Sequence, residues 1–307
     1  MDAQYTLVRI YLFVVGQYQG RLAATVQRQS NNSEPDFTDE EVLKIATASY
    51  LFGLAKKRET ISEIHLCVED HFSEWFPDLP SYQSYNRRPD RLNALFSPLV
   101  EKVLEEIDGE GFRKNMLRIV DSMPTRVAKG SRASQATVAS KRIVDVGYCS
   151  SKDTFYHGVK LHVVAERRSD QLPLLRRAGL TAGSENDLRA LRRVLPNIEG
   201  GVLCGDWAYC DGPLKERPAE NQDLDLLTPV KKNKGQKTLS AADTLYSEAV
   251  SRMRQPIESL FNWVNEKTGI QQASKVRSCQ GLLVHVFSRL HVFSRLAAAM
   301  LLLALKP

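Results

Sequence analysis

The chain has 307 residues, enough for two domains, and its 43% hydrophobic and 25% charged content excludes wholesale disorder. Its net charge of +6 hides a split: residues 1–110 hold 11 Lys+Arg against 18 Asp+Glu, a net of −7, whereas residues 111–307 hold 31 against 18, a net of +13. The basic part favours a polyanionic partner, because neutralised phosphates release their counterions. Five scattered cysteines without a CxxC pair give neither a disulfide framework nor a zinc finger, and read as free thiols in a reducing cytosol. The apolar run from Leu296 to Leu305 spans ten residues, half of what a bilayer requires. It predicts a buried closing helix in a soluble, cytoplasmic protein with no membrane partner.

In chain order, Leu7, Ile10, Tyr11 and Val14 stand at helical spacing within residues 1–30, and 29–35 reads as a loop. Thr38 with Glu41 forms a capping box ahead of an apolar helix carrying Val42, Leu43, Ile45 and Ala46. Further helices are predicted after Thr60 and after Ser81. The latter carries Arg87, Arg88 and Arg91, a DNA-contacting or solvated face, with Pro89 placed to kink or end it. Residues 1–110 thus predict an all-helical domain for DNA-end binding or dimerisation.

The texture changes from residue 112 onward. Residues 113–142 hold eight basic residues and one acid, Asp121. Val159, Leu161 and Val163 alternate with Lys160 and His162, the period of a half-buried strand. Ser184-Glu185-Asn186-Asp187 predicts the cap of a helix carrying Leu188, Leu191 and Leu195. Gly201–Cys204 and Leu224–Val230 read as short buried strands, the second leading into a loop with Lys231, Lys232, Lys234 and Lys237. After Pro256, Ile257, Leu260, Phe261 and Val264 form an i, i+3, i+4, i+7 stripe, with Glu258 at its edge. Residues 111–307 therefore predict a mixed α/β domain. The hexapeptide His285–Leu290 recurs unchanged as His291–Leu296. A six-residue shift cannot preserve one helical face, so the repeat reads as a duplication that threatens the C-terminal helix.

Three acids stand where a metal-dependent phosphoryl transferase needs them. Asp121 and Asp206 are predicted at the ends of two strands, and Glu258 near the start of the patterned helix. Hard divalent cations take oxygen ligands and keep several waters. Two of them together can serve the attacking and leaving oxygens of a phosphoryl transfer. Lys160, His162, Arg254 and the Lys231, Lys232 and Lys234 loop are candidate phosphate holders.

In order and spacing, several segments resemble DDE-type insertion-sequence transposases, most closely the insertion-sequence 982 family. They are Phe76–Tyr82, Ile119–Pro124, Gly147-Tyr148-Cys149, Gly158–His162, Gly205-Asp206 with Ala208-Tyr209, and Arg254–Trp263. The resemblance implies an RNase H-like catalytic domain behind the helical one, acting on double-stranded DNA at the ends of its own element and on target DNA. It implies that Asp121, Asp206 and Glu258 bind two Mg²⁺ ions, replaceable by Mn²⁺. It also implies a homodimer that brings two DNA ends together in a synaptic complex. The chain departs from the pattern at Ser251 and Asn265, where related transposases carry Tyr and Lys, and at Trp207, where Lys is expected. No Gly-rich phosphate loop points to ATP. Two other readings are a DNA-binding protein disabled in chemistry or repurposed, and a metal-dependent nuclease of the same fold.

Overall fold

The computed structural model describes residues 3–26, 35–46, 61–109, 117–132, 134, 136, 143–149, 153–194, 198, 200–210, 224–232 and 235–290. Contacts divide the chain into two units, Met1–Glu110 with Val264–Pro307, and Gly111–Trp263. No described helix is long and apolar enough to cross a membrane.

In the first unit the described residues up to 109 lie mostly in helices. They are α1 (Ala3–Gln17), prolonged by one π and one 3₁₀ turn to Val26, α2 (39–46), α3 (Ile61–His71), α4 (Tyr82–Arg91) and α5 (Asn93–Gly109). The Thr38 box forms reciprocally. The Thr38 backbone N–H donates to Glu41 Oε2 at 2.7 Å, and the Glu41 N–H donates to Thr38 Oγ1 at 3.3 Å. Val42, Leu43 and Ile45 are fully buried behind it, each contributing about 1.5–3 kcal/mol. Pro89 lies in the last turn of α4 and coincides with its end at Arg91.

Arg87 and Arg91 are exposed. Arg88 is spent inside the unit: its guanidinium donates to Asp39 Oδ1 at 2.6 Å and to the Phe37 carbonyl, and stacks over the Phe37 ring. It is therefore not part of a solvated three-arginine face. Lys44, also buried, lies over the rings of Tyr11, Phe76 and Trp75. That desolvation lowers its pKa against the opposing pull of Glu41.

A further helix, 279–290, contains the first copy of the repeated hexapeptide, and that copy is interior. His285, Val286, Ser288, Arg289 and Leu290 are all buried. Arg289 donates from Nε to the Thr268 carbonyl at 2.7 Å and from Nη1 to His285 Nδ1 at 2.5 Å, while His285 Nε2 donates to the Ile270 carbonyl at 3.2 Å. Burial and the Arg289 charge together hold His285 neutral. The second copy and the apolar run to Leu305 lie outside the described residues.

The second unit is a mixed sheet of β1 (Leu117–Lys129), β2 (Asp145–Cys149), β3 (Thr154–Glu166), β4 (Leu174–Ala182), β5 (Gly201–Cys204) and β6 (Leu224–Leu227). The strand order is β2-β3-β1-β5-β6, with β4 sharing the outer edge of β3 beside β2. β3 runs antiparallel to β1, whereas β1, β5 and β6 are parallel. β3 turns from half-buried to nearly wholly buried, because both of its edges and both faces are covered. Gly158 is required where β1 bulges between Arg126 and Ala128: a Cβ there would lie 2.1 Å from the Thr125 carbonyl oxygen. The sheet is served by α6 (Asp187–Val194), α7 (Ala241–Arg254) and α8 (Pro256–Thr268). One core cluster gathers Val120, Val164, Leu191, Ile198, Leu203, Tyr209, Leu224 and Leu226. The predicted strand to Val230 stops at Leu227. The α8 stripe is buried as its spacing predicts, with Ile257 and Leu260 essentially inaccessible.

Asp39 and Arg88 are 7% and 14% exposed. Removing one partner of so buried a pair leaves an uncompensated charge. Arg88→Ala is expected to cost about 3 kcal/mol in chemical denaturation; Asp39→Asn with Arg88→Met should recover much of that loss, whereas an unchanged midpoint in Arg88→Ala would remove the pair from the folding account.

Candidate active site

β1 and β5 pair in parallel only from Leu117–Val202 to Ile119–Cys204. β1 then continues to Lys129, so Asp121 lies inside a long strand and not at its end, as the apolar run before it had indicated. It nevertheless sits just past the last β1–β5 pair. Asp206 follows β5 by two residues, so both acids lie beyond the carboxyl end of the same short strand, where open α/β sheets place ligands.

The approach to Asp206 is held on both sides. The Gly205 N–H donates to the Leu227 carbonyl at 3.0 Å, and a Cβ on Gly205 would meet the Tyr209 ring at 2.9 Å. The missing side chain lets Tyr209 fold into the core beneath the backbone that carries the acid. Asp206 caps the 3₁₀ turn Trp207–Tyr209, accepting from the Ala208 N–H at 2.9 Å.

Arg254, the last residue of α7, ties the other two acids together. Its Nη1 lies 2.7 Å from Asp121 Oδ2 and its Nη2 3.1 Å from Glu258 Oε1. Arg254 and Asp121 are each 19% exposed, Glu258 57%. Burial pushes the Asp121 carboxyl up to about 7, with Arg254 and the Ser122 N–H opposing and Asp206 and Asp187 adding to it. Asp206 is raised as well, first by burial, against the Ala208 N–H and Arg254 and with Asp187. No group of three His, Cys, Asp or Glu among the described residues is gathered tightly enough to hold a metal ion; a guanidinium stands between two of the three acids. The donor set nonetheless suits a hard divalent cation, since Asp121 and Asp206 ionise reluctantly and an added positive charge would relieve them.

Of the predicted phosphate holders, Lys160 and His162 lie on one face of β3 and are engaged there. Lys160 Nζ donates to the Glu185 carbonyl at 2.9 Å and to Asp187 Oδ1 at 3.2 Å. His162 shares a 2.7 Å hydrogen bond with Thr181 Oγ1, and burial pulls its pKa down to about 4 despite Asp187. Lys231 and Lys232 are exposed, the latter donating to the Lys237 carbonyl at 3.0 Å. Lys234 lies outside the described residues.

The acid that sequence reading missed is Asp187. It accepts from Ser122 Oγ at 3.1 Å and from Lys160, and its charge is felt at Asp121, Asp206 and Tyr209. Its helix is capped by Asn186, whose Oδ1 accepts from Leu188 and Arg189, and not by Ser184, which donates to Asp145 at 2.6 Å. A signal was available: a polar Lys160 and His162 in an apolar strand require an acid opposite.

The raised Asp121 carboxyl has a consequence for stability. Folded Asp121 keeps its proton up to about pH 7, whereas the unfolded side chain releases it near 3.8. The folded state therefore binds more protons between these values, and stability falls as pH rises from about 4 to about 7. In metal-free buffer, thermal melts should show Asp121→Asn gaining on wild type across that range and levelling above it. A gap independent of pH would contradict the burial argument.

The family model of the transposase DDE domain matches residues 112–279, a segment that contains Asp121, Asp206, Arg254 and Glu258. No curated protein and no solved structure matches the chain. That match covers more than half of the 307 residues, and the mixed α/β sheet with two acids past one strand end falls wholly within it; the chain belongs to the transposase DDE domain family, whose members are DNA-processing enzymes of transposition.

Proposed function

We propose that this chain cleaves DNA at the ends of its own mobile element, of the insertion-sequence 982 type, and transfers the freed 3′-OH into target DNA. The observation that carries this reading is the placement of Asp121 and Asp206 past the same end of β5, coupled in charge, within the family-matched segment. The strand order β2-β3-β1-β5-β6 supports an RNase H-like catalytic core. In this reading residues 111–307 form the catalytic part and residues 1–110 a helical domain for DNA ends or dimerisation.

Asp121, Asp206 and Glu258 would hold two Mg²⁺ ions, with Mn²⁺ able to replace them. Bound there, the ions supply positive charge to the attacking and leaving oxygens of an in-line displacement at phosphorus. The chain's own residues do the rest by position. Arg254, paired with Asp121 and Glu258, would be free to take a DNA phosphate once those acids held cations instead. Lys231, Lys232 and Lys234 hold backbone phosphates of double-stranded DNA. Lys160 and His162, engaged with Asp187 and Thr181, brace β1 against α6 behind Asp121. A homodimer brings the two ends together, and no ATP is used.

A DNA-binding protein without chemistry is the second reading, favoured by the ion pairs that Arg254 makes with two of the three acids. The two readings separate in one assay on the gene's flanking DNA with Mg²⁺ or Mn²⁺. Active enzyme releases a 3′-OH and joins it to target. Asp206→Asn and Glu258→Gln should each lower cutting by at least about a hundredfold, since even residues behind a metal ligand cost 10–100-fold, while leaving DNA affinity within about threefold. Binding with no cutting by wild type supports the second reading. Undiminished cutting by Asp206→Asn removes the site assignment.

A further inference from the structure

Trp207 follows Asp206 directly and is 60% exposed, a large apolar ring left in water beside the candidate site. Its backbone is rigid. Asp206 caps the turn that begins at Trp207, the Tyr209 and Cys210 N–H groups donate to the Asp206 and Trp207 carbonyls at 3.1 Å, and Tyr209 is anchored in the core. Lys231 holds its ammonium 5.8 Å from the centre of the Trp207 ring. The loop carrying Lys231 is fastened to α7, where the Val230 N–H donates to Ser247 Oγ at 3.0 Å. On that helix the neighbours of Ser247 are exposed too, Leu245 by 69% and Tyr246 by 38%.

From these residues the geometry points to a nucleobase-stacking site: Trp207 takes the face of one unpaired base beside the scissile phosphate, and Lys231 takes the phosphate next to that base. The assignment rests on the DNA-processing reading above and adds its ligand class. An aromatic ring fixed on a rigid turn next to a cation recognises any base by its π-face and its backbone charge, without reading sequence. The interior of a duplex offers no free π-face, because every base is already stacked. A base frayed or extruded at a strand end does. Lysine at position 207 would hold only a phosphate; tryptophan in its place holds the base and leaves the phosphate to Lys231.

The test uses the full chain without metal, so that nothing is cut, and two labelled DNAs of equal length. One is a duplex with a short unpaired overhang, the other a dumbbell duplex closed at both ends. Fluorescence anisotropy gives the affinities, and intrinsic fluorescence reports on Trp207 among the three tryptophans. The overhang DNA should quench wild type saturably, with that component absent in Trp207→Phe. Trp207→Ala should bind the overhang DNA about tenfold more weakly, Trp207→Phe within about threefold of wild type, and all three should bind the dumbbell alike. Equal affinity of wild type and Trp207→Ala for the overhang DNA overturns the stacking site while leaving the DNA reading intact. Equal loss on both DNAs also overturns it, in favour of a general contact. Failure of wild type to bind either DNA overturns both the site and the reading beneath it.

Discussion

The sheet unit depends on how it treats one half-buried carboxylate. Asp121 pairs with β3 on one side and lies just past the last β1–β5 pair on the other, where partial burial makes its charge costly unless it is paired. The fold offsets that cost with Arg254, placed at the join of α7 and α8 so that one guanidinium reaches Asp121 and Glu258 together. The helix stripe that buries Ile257 and Leu260 fixes that join. Packing thus determines which charges meet, and the charges determine what the site can accept. A site arranged in this way holds a cation whether or not metal is present.

Around that pair the structure separates bracing from binding. Behind β1, Ser122, Lys160 and His162 converge on Asp187 or its neighbours, a buried polar cluster that locks α6 onto the sheet. Past the carboxyl end of β5, Trp207 and Lys231 face solvent beside the half-buried Asp206. The same strands therefore carry one face cross-linked by polar contacts and one end open to solvent. Lys160 and His162 belong by their contacts to the first, although their residue types alone made them phosphate holders.

Much of this was legible in the sequence where the signal was local. The Thr38 box, the α8 stripe and the short β5 strand are each written in fewer than ten neighbouring residues, and each forms where its pattern places it. The failures are non-local. Asp121 looked like a strand terminus because its apolar run is short, yet β1 runs on to Lys129, held by a pairing with β3 that no local pattern encodes. The predicted cap forms within Ser184–Asp187, but which residue makes it is set from afar, since the Ser184 hydroxyl donates to Asp145, 39 residues away, and Asn186 caps the helix. Arg88 reads as DNA-contacting or solvated because its partner Asp39 lies 49 residues away, and Asp187 takes its place only through the contact of β3 with α6. Type and order single out the three acids and Arg254 as candidates; the ion pairs between them do not follow, since a salt bridge over 133 residues has no signature in sequence.

We propose that Asp121, Asp206 and Glu258, the first and last of them held by Arg254, are the seat of divalent cations. Crystals soaked in Mn²⁺ and measured at its absorption edge test this directly. Anomalous peaks are expected against Asp121 and Asp206, with the Arg254 guanidinium withdrawn from Asp121. Peaks confined to other acids, with Arg254 still bridging Asp121 and Glu258, would contradict it.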